Sequence, residues 1–150
     1  MNTSDEIQLF DTYERQKRVF APLVPGKVGI YTCGPTVYDY PHIGNLRAYV
    51  FADILRRMFE FNGYEVTQVI NITDVGHLIS DADEGEDKVE VRAREQKRSA
   101  WEITEFFTKL FEQNLAILNI EHPTVMSKAT DHIAEQIALI ERLEGLGYTY

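Results

Sequence analysis

The feature that most narrows the fold is a change of hydrophobic period between Val28 and Ile70. Val28 to Cys33 is a short apolar run without proline, the pattern of a buried strand. Gly34-Pro35 ends it, because proline lacks a ladder donor and biases the preceding residue away from helix. From about Asn45 to Asn62, Leu46, Val50, Ile54, Leu55, Met58 and Phe61 recur at three- and four-residue spacing, which predicts a helix. Gly63 stands where a left-handed cap would close it. Tyr64 to Ile70 is β-branched and aromatic and predicts a second strand. Strand, helix and strand of these lengths form a βαβ unit, hence a parallel pair with a right-handed crossover in a doubly wound sheet.

The rest of the chain is built around that unit. Ile7 to Phe20 predicts a short strand and turn, followed by punctuation at Pro22 and Pro25-Gly26. Lys88 to Arg98 carries helix formers, and Ser99 with Glu102 has capping-box spacing. They open a helix with Ile103, Phe106, Leu110, Phe111 and Leu118 on one stripe. Asn119 to Lys128, with Pro123, is expected to be a connection. Asp131 is expected to cap a last helix whose Ile133, Ile137, Ile140 and Leu143 face inward, ended by Gly145 or Gly147. The expected layout is one unit over residues 1–150: a lead-in strand and turns at 1–27, the βαβ nucleotide-binding unit at 28–74, and a mainly helical part at 75–150.

Composition excludes some functions. A net charge of -9 argues against generic DNA binding, where affinity comes from Lys and Arg on phosphates. No run approaches the roughly 20 apolar residues that cross a bilayer, so no membrane role is expected. Met1 to Glu6 is polar and fits neither a secretory signal nor a transit peptide, which makes the cytoplasm the expected location. Cys33, the single cysteine, has no partner for an internal disulfide.

Chemistry is expected in the turn after the first strand, since open α/β sheets bind ligands at the carboxyl ends of their strands. Cys33 to Asn45 has neither the spacing of a dinucleotide fingerprint nor the Lys-Ser/Thr of a P-loop. His42 and Gly44 lie instead at the start of a helix, where backbone N–H groups and the macrodipole favour anions. Gly44 would let a ligand lie against the backbone, and His42 would donate to phosphate oxygens. Such a site suits adenylyl transfer.

Pro41-His42-Ile43-Gly44-Asn45 resembles the "HIGH" motif of class I aminoacyl-tRNA synthetases. The string Tyr31 to Asp39 is similar to cysteinyl-tRNA synthetases in particular, and Asn71-Ile72-Thr73-Asp74 and Lys128 to Ile133 add matches in the expected order. The resemblance implies a Rossmann-like parallel sheet, the first half of a class I nucleotide-binding fold, followed by helices. It implies ATP-dependent activation of cysteine to cysteinyl-adenylate, with Mg2+, and transfer of the acyl group to tRNA(Cys). It implies Cys33 as the first ligand of a zinc ion that binds the substrate thiol. His42 and Asn45 would be catalytic, and Gly34, Thr36, His42, Gly44 and Asn45 would line the ATP side. Thr73, with Asp74 beside it, would line the amino-acid side.

Asn45 replaces the last histidine of the pattern, and Val75-Gly76-His77 replaces more acidic residues. The family's other zinc ligands and its Lys-Met-Ser-Lys-Ser loop have no counterpart here, so the isolated chain is expected to be inactive. A cysteine ligase acting on an amino sugar shares these adenylation parts and stays open as an alternative. A non-catalytic nucleotide-binding module stays open as well.

The acidic run Asp81 to Asp87 fails the EF-hand template, because Gly85 falls fifth, and a solvated loop is expected. His77, His122 and His132 are expected to be structural or surface residues. Arg92, Arg94, Lys97 and Arg98 form a basic group that would meet the acceptor-stem backbone in a tRNA ligase.

Overall fold

The computed structural model describes residues 6–76 and 86–149. A hairpin of β1 (Gln8–Asp11) and β2 (Gln16–Val19) leads in, where the sequence predicts one strand and a turn. The sheet that follows has three parallel strands in the order β3 (Lys27–Thr32), β4 (Glu65–Ile72), β5 (Val125–Lys128). Helix α1 (Ile43–Phe61) connects β3 to β4, and α2 (Lys88–Gln96) and α3 (Ala100–Ile117) precede β5. A 3-10 turn (Ala129–His132) and α4 (Ile133–Gly145) complete the chain. This is the mixed α/β, parallel-sheet architecture that the sequence predicts.

The helix ends follow local chemistry. Gly63 and Gly147 take left-handed φ of 84° and 74° just past α1 and α4, where a side chain would be strained. Ser99 Oγ accepts from Glu102 N–H at 3.2 Å while the Glu102 carboxylate accepts from Ser99 N–H at 2.8 Å, the reciprocal cap that the spacing predicts. Asp87 caps α2, accepting from Val89 N–H at 2.7 Å.

Four expectations are corrected. Residues 125–128 are not part of a connection: Val69 to Ile72 pairs in register with Val125 to Lys128, making β5 the third strand. Pro123 is tolerated because it precedes the ladder. The last helix is not capped by Asp131; its N-cap is His132, without a side-chain cap, and Ile133, Ile137 and Ile140 are exposed. The stripe on α3 is rotated, since Ile103, Phe107, Phe111 and Leu115 are buried whereas Phe106 and Leu118 are not. Nor is β3 buried on both faces: Val28 and Ile30 point inward and Tyr31 is 68% exposed. The acidic residues Asp81, Asp83 and Glu84 and the imidazole of His77 lie outside the described residues.

Two apolar clusters hold the fold. Val37, Tyr49, Ile70, Ile72, Ile103, Phe107 and Phe111 join the sheet to α1 and α3 beneath the turn after β3. Val28, Ile30 and Phe59 form the second cluster, against which Leu9 and Phe20 of the hairpin region pack. Buried Asp53 ties α1 to the approach to β5, accepting from Glu121 N–H at 2.9 Å and from Arg57 Nε at 2.7 Å. Arg57 and Arg56 in turn donate to the Asn119 and His122 carbonyls at 2.9 and 2.8 Å. Among the described residues, no helix is long and apolar enough to cross a membrane.

Asp53→Ala removes the acceptor of the part-buried Glu121 N–H, and should cost about 1–3 kcal/mol in urea unfolding. Ile54→Ser, on the exposed face one residue away, should stay within about 0.5 kcal/mol.

Candidate active site

The turn after β3 is zipped to the end of β4. Thr36 and Thr73 form a parallel bridge. Thr73 N–H donates to Pro35 C=O at 3.0 Å, and Val37 N–H donates to Thr73 C=O at 3.1 Å. Buried Val37 anchors the segment in the core. The polypeptide between Cys33 and His42 then arches over a cavity of about 410 Å³, within the roughly 300–1,000 Å³ of small-molecule sites. Cys33, Gly34, Thr36, Tyr38, Tyr40, His42, Asn45, Tyr49, Lys88, Phe107 and Phe111 are among the residues that line it.

Of the residues that the sequence singles out, Cys33, Gly34, Thr36, His42 and Asn45 meet on this wall; Gly44 and Thr73 do not line the cavity. The reason for Gly44 is local. His42 is the N-cap of α1, and its Nδ1 accepts from Gly44 N–H at 3.1 Å. His42 N–H donates in return to Asn45 Oδ1 at 3.1 Å. A Cβ at Gly44 would stand 2.9 Å from His42 Cε1, so the glycine makes room for the folded-back imidazole. With Nδ1 accepting, the neutral ring carries its proton on Nε2, and Asn45 keeps its amide N–H groups. The head of α1 thus offers side-chain donors in place of open backbone amides.

Thr73 sits behind the wall, with its hydroxyl accepting from Asn71 Nδ2 at 3.2 Å. Asp74 is buried and turned away, its carboxylate accepting from Thr130 N–H at 3.0 Å and Thr130 Oγ1 at 2.5 Å. That contact joins the two outlying strings, residues 71–74 and 128–133, and makes Asp74 a tie between β4 and the turn after β5.

Cys33 is exposed, with Sγ 3.8 Å from the Gly34 carbonyl. Among the described residues no three His, Cys, Asp or Glu side chains are placed to share a metal. One thiol does not hold zinc, which takes about four ligands. These residues therefore do not fit a zinc site by themselves.

Two cavity residues escape sequence reasoning. Tyr49 lies one turn beyond Asn45 on α1, buried edge-on against Phe111 with centroids 4.9 Å apart. Burial, and secondarily the negative charge of a Cys33 thiolate, push its phenol up to about 12. It is a neutral hydroxyl at ordinary pH. The spacing from Asn45 is the signal that would have found it. Lys88, at the first turn of α2, stands 5.8 Å from the centre of the Tyr38 ring and brings a cation to the cavity. Its distance in sequence from Cys33 leaves no local signal. The basic group is partly neutralised: Arg92 pairs with Asp39 at 3.1 Å and Arg94 with Glu86 at 3.0 Å, while Arg98 stacks over Phe106.

A strand, turn and helix at the head of a parallel sheet fit the fold of a class I synthetase catalytic domain. Residues 19–150 match the family model described as tRNA synthetases class I (C) catalytic domain, and the chain belongs to that family. The relatives specify further. Cysteine–tRNA ligase 1 of Burkholderia lata is 57% identical over 144 residues, covering 96% of this chain and 31% of the relative. The cysteine–tRNA ligase of Treponema denticola is 54% identical over 144 residues (96% and 29%), and that of Zymomonas mobilis 48% over 147 residues (98% and 28%). The chain thus spans under a third of the length of the curated relatives it matches.

Because folded Tyr49 holds its proton above the usual value of 10, the native state binds more protons than the unfolded chain between pH 10 and about 12. Stability should fall as pH rises through that window, by up to about 2 kcal/mol. Tyr49→Phe, which keeps the ring against Phe111, should flatten the decline in urea midpoints measured from pH 9.5 to 11.5.

Proposed function

We propose that this chain is the amino-terminal part of a cysteine–tRNA ligase, carrying the ATP side of the adenylation site and one contact for the substrate thiol. In the first half-reaction the cysteine carboxylate attacks the α-phosphorus of Mg2+-ATP. A new P–O bond forms, the bond to the β-phosphate bridge breaks, and pyrophosphate leaves. The acyl group then passes to the terminal ribose of tRNA(Cys), releasing AMP.

The observation that supports this most is one cavity wall that holds the Cys33 thiol together with the donors of His42 and Asn45. Charge grows on the phosphate oxygens during the attack, and preorganised N–H donors stabilise it without reorganising. Lys88, on α2, adds a cation, and Thr36 and Gly34 also line the cavity. Phe107, Phe111 and Tyr49 supply an aromatic wall that limits water. Gly44 and Thr73 act from behind: Gly44 by making room for the His42 ring, and Thr73 by holding the turn to β4. Cys33 is proposed as one zinc ligand, the others coming from polypeptide outside these 150 residues. Bound zinc would discriminate a soft thiol from a hydroxyl.

Put in place of the matching segment of the Burkholderia lata relative, this chain should support cysteine-dependent exchange of pyrophosphate into ATP. There, His42→Ala should lower the exchange rate by about 10²–10³, while Cys33→Ser should abolish cysteine-dependent exchange and leave ATP affinity within about twofold of the parent. The 150-residue chain alone should give no exchange. Cysteine-dependent exchange by Cys33→Ser at the parental rate would overturn the assignment.

A further inference from the structure

The turn that carries Cys33 is held by a side chain as well as by the strand ladder. Asn71 Oδ1 accepts Gly34 N–H at 2.8 Å and the Tyr31 hydroxyl at 3.0 Å, and Asn71 Nδ2 donates to Thr73 Oγ1 at 3.2 Å. Both lone pairs of the carbonyl are used, and its orientation is fixed, because Gly34 N–H can only donate. The main chains are in contact here too. A Cβ on Gly34 would lie 1.6 Å from the Asn71 carbonyl oxygen, so only glycine lets the turn approach so closely. Asn71 does not line the cavity; its contacts run to the residues on either side of Cys33, Tyr31 before it and Gly34 after it.

We infer that Asn71 is a positioning residue, whose carboxamide sets the path of the chain as it leaves β3 and so fixes where the Cys33 thiol stands at the cavity. The functional meaning rests on the role proposed above for Cys33. Asparagine suits the task because it accepts from Gly34 and donates to Thr73 at once. Aspartate keeps the acceptor, loses the donor and adds a negative charge next to the Cys33 turn. Alanine loses both contacts.

Because Cys33 is the one cysteine in the chain, iodoacetamide alkylation of the 150-residue protein reports on this thiol alone. Asn71→Ala should lower amide-exchange protection at Gly34 by about tenfold, while the Val37 and Thr73 amides, bonded main chain to main chain, keep theirs. Asn71→Asp, whose carboxylate keeps the acceptor, should retain Gly34 protection, and Asn71→Ala should change the alkylation rate at one fixed pH as the turn carrying the thiol shifts. Unchanged Gly34 protection in Asn71→Ala overturns the inference. So does an equal loss at Gly34, Val37 and Thr73, which marks general destabilisation. Should Asn71→Ala not fold, Asn71→Leu, which keeps the volume and has no acceptor, decides: Gly34 protection equal to that of the parent refutes the positioning role. These readouts need no substrate, so they can fail while the exchange assay with Cys33→Ser succeeds, and the reverse.

Discussion

Between Pro35 and Val37 the chain has already left β3, yet Thr73 still hydrogen-bonds to both residues through its main chain, at 3.0 and 3.1 Å. The ladder between the first two parallel strands therefore runs past the end of β3 and into the turn. A loop at the carboxyl end of a sheet is ordinarily a soft element, since loops have fewer backbone partners than the strands they join. Here three features remove that softness: the Thr73 bonds, the Asn71 carboxamide and buried Val37. The cavity wall inherits the rigidity of the sheet, which is what a site that works by preorganised donors requires.

That rigidity depends on one covered face. Val28, Ile30, Gln68, Ile70 and Ile72 alternate inward along β3 and β4. Packed against them, α1 and α3 supply Tyr49, Phe59, Phe107 and Phe111, and three of these four also line the cavity. Core and site share side chains, so a change that loosens α3 reaches the ligand wall through Phe107 and Phe111. The exposed apolar residues Ile43, Ile54 and Phe61 on α1, and Ile133, Ile137 and Ile140 on α4, belong to neither cluster.

Much of this was legible in the sequence where it rested on local rules. The run Val28 to Cys33, the spacing of Leu46 to Phe61 and the glycine at 63 gave the βαβ unit to within two residues at most boundaries. The capping box at Ser99 was legible for the same reason. What sequence could not give depended on which faces found partners. Periodicity put Ile133, Ile137 and Ile140 on one stripe correctly, but a stripe does not say that something covers it. Strand β5 was missed because Pro123 and four short residues give no period to read, and its identity comes from pairing with β4. In the site, His42 was singled out by its place at the helix start and Cys33 and Asn45 by the family resemblance, and all three line the cavity. The inward turn of the His42 ring onto Gly44, the burial of Asp74 against Thr130 and the arrival of Lys88 from α2 are tertiary facts.

The reciprocal cap at the head of α1 changes what ligand binding means there. The His42 ring already satisfies the Gly44 N–H and the Asn45 carboxamide the His42 N–H, so an anion arriving at this end does not fill a vacancy there. It either takes up the outward-facing donors and leaves the cap intact, or exchanges with it, bond for bond. In the first case the helix start stays a fixed template and binding is close to rigid docking. In the second, the measured affinity is a difference between two sets of hydrogen bonds of similar strength. A helix that caps itself in this way would then hold an anion only by the difference between those two sets of bonds.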